Sequence, residues 1–358
     1  MSNASLILDC QFGSTGKGLF AGFLAAKHDP DVIAYAPSPN AGHTLIWKGR
    51  TIIHKMLPSG ITSRRLRTIV LGPGSLLDLD RLAEEWAALD RPVELLIHRN
   101  AACVLPRHRQ AESQGNTAPG STRQGVGAAQ IERIRRSPQS QNLAQHCLVG
   151  HPLQEVARLI DTPEMQRVYF DAERLQIESC QGYSLSILHG FYPHVTSRDV
   201  TTASVLQDTG VPWTKSLTVY GTFRTYPIRV ANRPESGEWS GPGYPDCQET
   251  SFENLGQPQE VTTVTKLPRR IFTWSQQQTL EACAQNHIDY AFLNFAQYPP
   301  TFKELLHIWE SLNEATVVSY LGFGPEIEDV LRVGAPNVCQ SYARVIWERY
   351  RAAADGDS

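Results

Sequence analysis

The sequence lacks the features of several protein classes. Its seven cysteines form no C-x-x-C pair, so neither a zinc site nor a disulfide framework is indicated, and a reducing compartment is expected. No apolar run approaches the roughly 20 residues of a membrane helix, and the N-terminus MSNASLILDCQFG does not resemble a secretory signal. A net charge of −3 over 358 residues gives no basic surface for nucleic acid or membrane. We therefore expect a cytoplasmic protein with small-molecule partners.

Short β-branched runs alternate with helical patterns along the chain. SLILDC precedes GKGLFAGFLAAKH, TIVLGPG precedes DLDRLAEEWAAL, and DYAFLNFA precedes FKELLHIWESL. This alternation predicts an α/β fold with a mainly parallel central sheet flanked by helices. We predict one domain over residues 1–353 and a disordered tail over 354–358. The polar stretch 232–260, rich in Pro and Gly, is interpreted as either a lid or a flexible insertion.

The segment QFGSTGKG, residues 11–18, is similar to a phosphate-binding loop. A strand, a glycine-rich turn and a helix together present backbone N–H groups and the positive helix end to a phosphate. Lys17 can reach phosphoryl oxygens as a point charge. A Walker A loop would need glycine in place of Gln11 and a hydroxyl residue in place of Gly18, so the GSTGKG turn is only P-loop-like. On these residues alone, a structural glycine turn remains the alternative.

Two further motifs follow the loop at short distance. NAGHT, residues 40–44, lies between strand-like runs, where an isolated His43 would more simply be a structural hydrogen-bonding residue. Taken together, QFGSTGKG, NAGHT and HKMLPSGI resemble the opening of the adenylosuccinate synthetases, which read QWGDEGKGK, NAGHT and HxxPSG. GSTRQGVG, CQGYSLSILHGFYPHVTS, YPIRV and EVTTVTKLPRR continue the resemblance over nearly the whole chain.

The resemblance implies a reaction and a set of catalytic residues. Members of the family transfer a γ-phosphoryl group to O6 of a purine monophosphate, and the amino group of aspartate then displaces the phosphate. By motif, Ser14, Lys17 and His43 are the catalytic residues, and Ser14 with Gly42 would hold Mg²⁺ as the cofactor. The family also implies a homodimer in which Arg136 reaches the neighbouring subunit, although a solvated basic helix face is the alternative for that segment.

Three groups of binding residues are implied in the same way. The donor-binding residues are Gly13, Thr15, Gly16, Lys17, Gly18, Gly42, His43, Thr44, Asn294, Gln297, Gly324 and Pro325. The residues expected to bind the purine monophosphate are Ser14, Asn40, Ser121, Thr122, Arg136, Gln181, Thr196 and Val230. The aspartate-binding residues are Thr263, Val264, Thr265, Arg269 and Arg270, with ordinary surface arginines as the alternative for the last two.

Ser14 departs from the family pattern, which has an aspartate there. A serine hydroxyl is a poor base near neutral pH and a weaker metal ligand, so the ordinary reaction with IMP is not expected. One explanation is a degenerate pseudoenzyme. The other is a guanine substrate, because Ser14 leaves room for the 2-amino group and can accept its N–H. The substitution resembles the phage branch of the family, which makes 2-amino-2′-deoxyadenylosuccinate from dGMP.

The residues expected to bind the base of the phosphoryl donor also differ from the family pattern. The family reads guanine through the carboxylate of TKLD, whereas this chain has AFLNFAQ, in which the neutral amide of Gln297 can donate and accept toward adenine. Leu267 replaces an arginine of the family, which is compatible with a 2′-deoxy substrate. The sequence thus predicts a ligase that joins L-aspartate to C6 of dGMP through a 6-phosphoryl intermediate, with ATP or dATP as donor.

The expected products are 2-amino-2′-deoxyadenylosuccinate, ADP or dADP, and phosphate, for diaminopurine deoxynucleotide synthesis in phage DNA. The host cytoplasm is the expected location if the chain is viral. Two alternatives remain at this point. One is an adenylosuccinate synthetase acting on IMP, and the other is a nucleotide-binding protein without turnover.

Overall fold

The computed structural model describes residues 3–114, 121–213, 216–233, 237–262, 266–334 and 336–356. The strands are β1 (Asn3–Asp9), β2 (Val32–Tyr35), β3 (His43–Trp47), β4 (Arg50–His54), β5 (Thr68–Leu71), β6 (Leu76–Leu77), β7 (Glu94–His98), β8 (Ala102–Cys103), β9 (Ala157–Ile160), β10 (Arg174–Gly182), β11 (Leu217–Arg224), β12 (Ile228–Arg229), β13 (Glu249–Thr250), β14 (Arg270–Phe272), β15 (Tyr290–Asn294), β16 (Val317–Gly322) and β17 (Val330–Arg332). The helices are α1 (Lys17–His28), α2 (Leu79–Ala87), α3 (Pro106–Gln114), α4 (Val126–Arg135), α5 (Ala144–Cys147), α6 (Thr162–Asp171), α7 (Thr202–Thr209), α8 (Gln276–Asn286), α9 (Phe302–Asn313) and α10 (Pro336–Gly356).

Ten of the strands form one central sheet, in the order β17-β16-β15-β11-β1-β10-β2-β5-β7-β9. Every neighbouring pair is parallel except β16 with β17, which is antiparallel. The predicted α/β fold with a mainly parallel sheet is therefore confirmed. Because β1 lies in the middle, the loop that follows it emerges at the centre of the carboxyl edge, where α/β proteins bind their ligands.

The composition of the strands explains this arrangement. VIAY of β2 and TIVL of β5 are buried at all four positions, as expected for parallel strands covered on both faces. The helices bury the two faces of the sheet, each packing one apolar side against it. In α1, Phe20 is fully buried and stacks on Phe292 of β15, with 4.6 Å between ring centroids. In α9, Trp309 is likewise fully buried. The contact between Phe20 and Phe292 fixes α1, and with it the end of the glycine-rich loop, against the sheet.

The described part of the 232–260 segment is packed and not an unstructured loop. It contributes β13 to a small antiparallel sheet of order β12-β14-β13. Phe252 and Leu255 are buried in a cluster with Tyr226, Ile228 and Ile271. Apolar side chains within a polar stretch thus anchor it, so the interpretation as a flexible insertion does not fit these residues. The lid interpretation stays a prediction.

The C-terminal helix overlaps the predicted disordered tail. α10 continues to Gly356, because the run of alanines at 352–354 favours helix, whereas residues 357 and 358 lie outside the described part of the chain. Within the described ranges, no helix is long and apolar enough to cross a bilayer.

Candidate active site

A cavity of about 970 Å³ opens at the carboxyl ends of the central strands. This is near the upper end of the range for small-molecule sites, as a reaction with several substrates requires. Most of the predicted site residues line it: Gly13, Ser14, Gly16, Lys17, Gly18, Asn40, Gly42, His43, Thr44, Ser121, Thr122, Gln181, Thr196, Val230, Arg269, Asn294, Gln297, Gly324 and Pro325. Members of all three predicted groups of ligand-binding residues therefore share one space, with Arg269 alone representing the aspartate-binding group.

A buried carboxylate accepts hydrogen bonds from several residues of the glycine-rich loop and holds its backbone in place. Asp9, the last residue of β1, accepts N–H bonds from Gln11 at 3.0 Å and Gly13 at 3.2 Å on one oxygen. Its other oxygen accepts from the backbone N–H of Thr15 at 3.3 Å and the hydroxyl of Thr15 at 2.7 Å. Burial raises the pKa of Asp9, while the bonds to Thr15 and the charge of Lys17 oppose that shift. Sequence reasoning missed this residue, although a carboxylate directly before a glycine-rich turn was visible.

Thr15 is an exception among the predicted donor-binding residues. Its hydroxyl faces the protein interior, where it also lies 2.5 Å from the hydroxyl of Thr222, and it is not among the residues lining the cavity. Its hydroxyl and its backbone N–H already have partners inside the protein. Thr15 therefore braces the loop and does not contact the ligand space.

Gly16 must be glycine for a steric reason as well as a conformational one. Its φ is +83°, and a Cβ there would lie 1.9 Å from Nδ2 of Asn294. That amide donates to the carbonyl of Thr15 at 3.2 Å, so Asn294 ties the end of β15 to the loop. The predicted role of Asn294 in the donor site is thus accompanied by a bracing role that the sequence did not indicate.

Lys17 and His43 form the polar centre of the cavity. The Lys17 ammonium lies 2.8 Å from Nε2 of His43 and donates to the carbonyl of Ser179 at 2.7 Å. An ammonium can only donate, so Nε2 is the acceptor and the imidazole proton resides on Nδ1. Burial lowers the pKa of Lys17, and burial together with the Lys17 charge holds the pKa of His43 well below its usual value. His43 is therefore neutral near neutral pH.

His43 also carries an unused donor. Its Nδ1 is buried and has no hydrogen-bond partner in the described part of the chain. A buried donor without a partner is costly, and the cost is removed when a ligand atom accepts from it. His43 is thus suited to donate a hydrogen bond to a group that enters the cavity.

Two buried carboxylates hold residues 55–60, which follow β4, the strand that pairs with β3 and places His54 opposite His43. Glu178 on β10 accepts the N–H groups of Ser59 and Gly60, both at 2.8 Å. Glu85 on α2 accepts three consecutive N–H groups, from residues 55–57. These bonds fix the segment HKMLPSG next to the strand pair that carries His43, because its backbone N–H groups converge on carboxylates from two different elements. Sequence reasoning did not find either glutamate.

Ser14 lies on the cavity wall in contact with a guanidinium. It has φ +58°, and its hydroxyl accepts from Nη1 of Arg269 at 2.9 Å. The Ser14 carbonyl accepts from Arg224 at 3.3 Å. Across the cavity wall, Gln181 donates to Asn40 at 2.8 Å, which brings together two residues predicted to bind the monophosphate. The structure therefore joins the loop, the NAGHT segment and the arginine-rich segment around one space.

Of the two predicted aspartate-binding arginines, only Arg269 lines the cavity. Arg270 makes a two-pronged ion pair with Glu249 of β13 at 2.8 and 2.6 Å and lies outside the cavity lining. Consecutive side chains at the start of a strand point to opposite faces, so only one of the pair can face the ligand space. Thr263, Val264 and Thr265 lie outside the described residues.

Arg229 is a cavity residue that the prediction did not single out, although it belongs to the YPIRV motif. It donates to the carbonyls of Ser240 at 2.8 Å, Pro242 at 3.1 Å and His194 at 3.0 Å, and lies 4.4 Å from the ring centroid of Phe12. Burial, with a smaller effect of Arg270, lowers the pKa of Arg229 to about 9. A buried guanidinium of this kind favours an anionic ligand.

Arg136 is the remaining exception. It caps the C-terminus of α4 with φ +52°, is exposed, and is not part of the cavity lining, whereas Ile131 of the same helix is. An exposed arginine outside its own cavity lining is compatible with the predicted role in a neighbouring subunit. That role stays a prediction.

The chain is similar in sequence to proteins of known function. The family model of adenylosuccinate synthetase matches residues 6–158 and 149–306. An N6-succino-2-amino-2′-deoxyadenylate synthase of Cyanophage S-2L is 55% identical over 333 residues, 92% of each chain. A protein of the same name from Salmonella phage PMBT28 is 42% identical, covering 91% of this chain and 96% of the relative.

Two solved structures are also similar to this chain. The Cyanophage S-2L succinoaminodeoxyadenylate synthetase bound to dGMP and dATP superposes with a TM-score of 0.95 at 52% identity, covering 98% of this chain and 100% of that one. A fully ligated adenylosuccinate synthetase from Plasmodium falciparum, at 18% identity, superposes with a TM-score of 0.74 and supports the fold alone.

Proposed function

The chain belongs to the adenylosuccinate synthetase family, and we propose that it acts as an N6-succino-2-amino-2′-deoxyadenylate synthase. It joins L-aspartate to C6 of dGMP, with ATP or dATP as phosphoryl donor. The products are 2-amino-2′-deoxyadenylosuccinate, ADP or dADP, and phosphate. Ser14 is the observation that carries this proposal, because it stands at the cavity wall where the family's IMP enzymes need a carboxylate.

A guanine base in the substrate would account for a serine at position 14. The N1–H and 2-amino groups of guanine are donors, and a serine hydroxyl can accept from one of them while leaving space for the other. Arg269 already donates to Ser14 Oγ at 2.9 Å, which leaves one lone pair of that oxygen for the base. A hydroxyl oriented in this way suits a 2-aminopurine better than the 2-unsubstituted base of IMP.

Lys17 and His43 would carry out the charge neutralisation of phosphoryl transfer. The oxygen at C6 leaves poorly until it is phosphorylated, and catalysis of such a transfer is mostly positioning and electrostatic stabilisation. Lys17 can exchange its hydrogen bond to His43 Nε2 for one to the transferring phosphoryl group. His43 can then donate a hydrogen bond to an oxygen of that group from its unpartnered Nδ1. Both residues are buried, which strengthens their interaction with a phosphate.

The residues present fit a Mg²⁺ ion held largely by the substrate. No group of three or more His, Cys, Asp or Glu side chains suited to a metal occurs within the described ranges. Mg²⁺ commonly binds through substrate phosphates, waters and few protein oxygens, so the Gly42 carbonyl is a sufficient protein ligand. Ser14 is a poorer second ligand than predicted, because the Arg269 charge beside its oxygen opposes a divalent cation. When bound, Mg²⁺ neutralises phosphate charge.

The proposed function predicts a specific pattern of substrate use. Purified protein is mixed with aspartate and Mg²⁺, and phosphate release is measured with dGMP, GMP, dIMP or IMP against ATP, dATP or GTP. We expect aspartate-dependent release with dGMP, and faster turnover with the adenine donors than with GTP at subsaturating donor. The preference is expected to be modest, since Gln297 is a neutral amide and not a buried carboxylate.

Other outcomes of that experiment would point elsewhere. Preferential use of IMP would identify an ordinary adenylosuccinate synthetase. Nucleotide binding without aspartate-dependent phosphate release would identify a binding protein without turnover. Turnover with GTP equal to or faster than with ATP would contradict the role proposed for Gln297.

A Ser14→Asp variant is expected to lose activity with dGMP. The longer carboxylate crowds the 2-amino group, and we expect kcat/KM for dGMP to fall by about 10- to 200-fold, the effect of a misfit of about one methylene group. Any trace activity with IMP should rise, because a base has been restored. Steady-state kinetics on both substrates measure the change, with Ser14→Ala as the control that removes the hydroxyl without crowding. If Ser14→Asp uses dGMP as fast as the parent, the steric account is wrong.

A further inference from the structure

A second cavity, of about 420 Å³, lies at the amino ends of the central strands, the opposite edge of the sheet from the candidate active site. Its lining includes Tyr290, the first residue of β15, and Arg332, the last residue of the antiparallel β17. Lys27 and His28, the last two residues of α1, complete one side. Lys17 begins the same helix, so Lys17 and Lys27 are separated by about 15 Å along its axis. The two cavities share no lining residue and are therefore separate sites.

The second cavity carries positive charge without a matching negative charge. No aspartate or glutamate is among its lining residues. Within the described ranges, neither Lys27 nor Arg332 forms an ion pair with a carboxylate. Burial and the charge of Arg332 lower the pKa of Lys27, and burial with the charges of Lys27, Arg174 and Arg332 lowers the pKa of His28. The positive charges thus repel one another, and a bound anion would relieve that repulsion.

A buried amide donor also belongs to this cavity. Nδ2 of Asn313, the last residue of α9, is buried and has no hydrogen-bond partner among the residues that the structure describes. Its Oδ1 accepts from the N–H of Val318 at 2.9 Å, which fixes the orientation of the amide. A buried donor without a partner is costly, and a ligand oxygen removes that cost. The dipole of α1 accounts for Lys27 and His28 at its C-terminus, but Arg332 and Asn313 belong to other elements.

Aromatic rings form much of the remaining wall. The Lys27 ammonium lies 5.4 Å from the ring centroid of Tyr320. The rings of Tyr220 and Tyr290 lie beside each other, with 5.7 Å between centroids. Apolar surface around a charged group displaces water and strengthens its attraction to a counter-ion. The cavity volume lies within the range of about 300–1,000 Å³ that is usual for small-molecule sites, so it can hold more than a bare ion.

We propose that this cavity is a second binding site, for the phosphate group of a small molecule, in which Lys27 and Arg332 bind the phosphate and Asn313 Nδ2 donates to one of its oxygens. A phosphate group carries about two negative charges and three acceptor oxygens, which matches two cations and one amide donor. Two sources supply this group. One is inorganic phosphate, and the other is a nucleoside monophosphate, whose base would pack against the tyrosine rings. The site does not depend on the proposed reaction, because its residues are separate from the catalytic cavity.

The histidine imidazoles allow the two cavities to be observed separately by NMR, because His28 lines one and His43 lines the other. The full chain with isotope-labelled histidine is titrated with inorganic phosphate in one arm and dAMP in a second, and a His28→Asn variant assigns the His28 signal. We expect a saturable shift of the His28 signal. Equal Kd values in the two arms would assign the phosphate group alone as the ligand, and a lower Kd for dAMP would assign a mononucleotide. No saturable shift in either arm would overturn the proposal.

Variants test the assigned cations. Arg332→Gln removes an exposed charge and should raise the Kd read at His28 by about 10- to 150-fold, the effect of losing a charge-assisted contact, while ligand effects on His43 stay unchanged. Lys27→Gln should do the same and covers the case in which Arg332→Gln does not fold. Lys303→Gln, which removes an exposed lysine of α9 that lines neither cavity, is the control and should alter neither signal.

Two further results would contradict the proposal. One is an unchanged Kd at His28 in both Arg332→Gln and Lys27→Gln. The other is binding of malonate, a dicarboxylate with two charges, as tightly as phosphate, which would show a site for any dianion and not for a phosphate group.

Discussion

A His43→Asn variant is expected to lose about 10²- to 10³-fold in kcat, the range for removal of one positioned hydrogen-bond donor to charge that develops in the transition state. The imidazole sits beside Lys17 with its Nδ1 buried and unpartnered within the described residues, so the loss should fall on the transfer step and not on binding. Stopped-flow or steady-state phosphate release at saturating dGMP, aspartate and donor measures the effect, and calorimetry checks that dGMP still binds.

His287→Asn is the matched control for this variant. His287 is exposed and caps α8 with φ +49°, a conformation that asparagine tolerates well, at the end of the sheet away from the cavity. It should leave kcat unchanged. Because the pKa of His43 lies well below its usual value, the parent enzyme should show no loss of activity through a histidine titration near pH 6.5. A His43→Asn variant that retains more than a tenth of the parental kcat would contradict the assigned role.

The second large effect is expected at Arg136, which we propose to act in the neighbouring subunit of a homodimer. Removing a charge-assisted contact to the substrate phosphate costs about 1.5 to 3 kcal/mol, so Arg136→Ala should weaken dGMP binding by about 10- to 150-fold with the fold intact. Arg135→Ala, which removes the adjacent exposed arginine of α4, is the control and should bind dGMP normally. Calorimetry with dGMP and thermal unfolding measure both properties.

Mixing two impaired variants, with dGMP held below the concentration that saturates Arg136→Ala, tests whether the site is shared. Arg136→Ala chains are combined with His43→Ala chains carrying a different tag, and subunit exchange is verified by tandem affinity purification. One of the two sites in each mixed dimer then contains an intact His43 from one chain and an intact Arg136 from the other, so part of the activity should return. No recovery in verified mixed dimers would mean that Arg136 acts within its own subunit or has no role.

The sequence was sufficient for the sheet, the glycine-rich loop and the grouping of most predicted site residues, because these depend on local patterns and on motifs read in order. It could not indicate contacts between residues far apart in the chain. Arg269 and Arg270 are adjacent and chemically equal, and only the pairing of β14 with β13 shows which of them faces the cavity. The placement of Phe295 against Arg224, 71 positions away by their residue numbers, has no local signal either.

Thr15 illustrates a second limit. A hydroxyl residue within a phosphate-loop pattern is ordinarily assigned to the ligand, and its side chain turns inward only because Asp9 and Thr222 come together beneath the loop. That arrangement depends on β1 lying next to β11, which is a property of the whole sheet.

The carboxylate of Asp9 changes how the loop can treat a nucleotide. It occupies the backbone amides of residues 11, 13 and 15, so the first half of the loop already encloses an anion that belongs to the protein. A loop whose amides were empty would wrap a phosphate with all of them. Here Asp9 takes the amides of residues 11, 13 and 15. The amides further along the loop and the Lys17 ammonium are left for the incoming triphosphate. By this arrangement the first half of the loop is ordered by the protein's own carboxylate and not by the ligand, which lowers the conformational cost of binding a triphosphate.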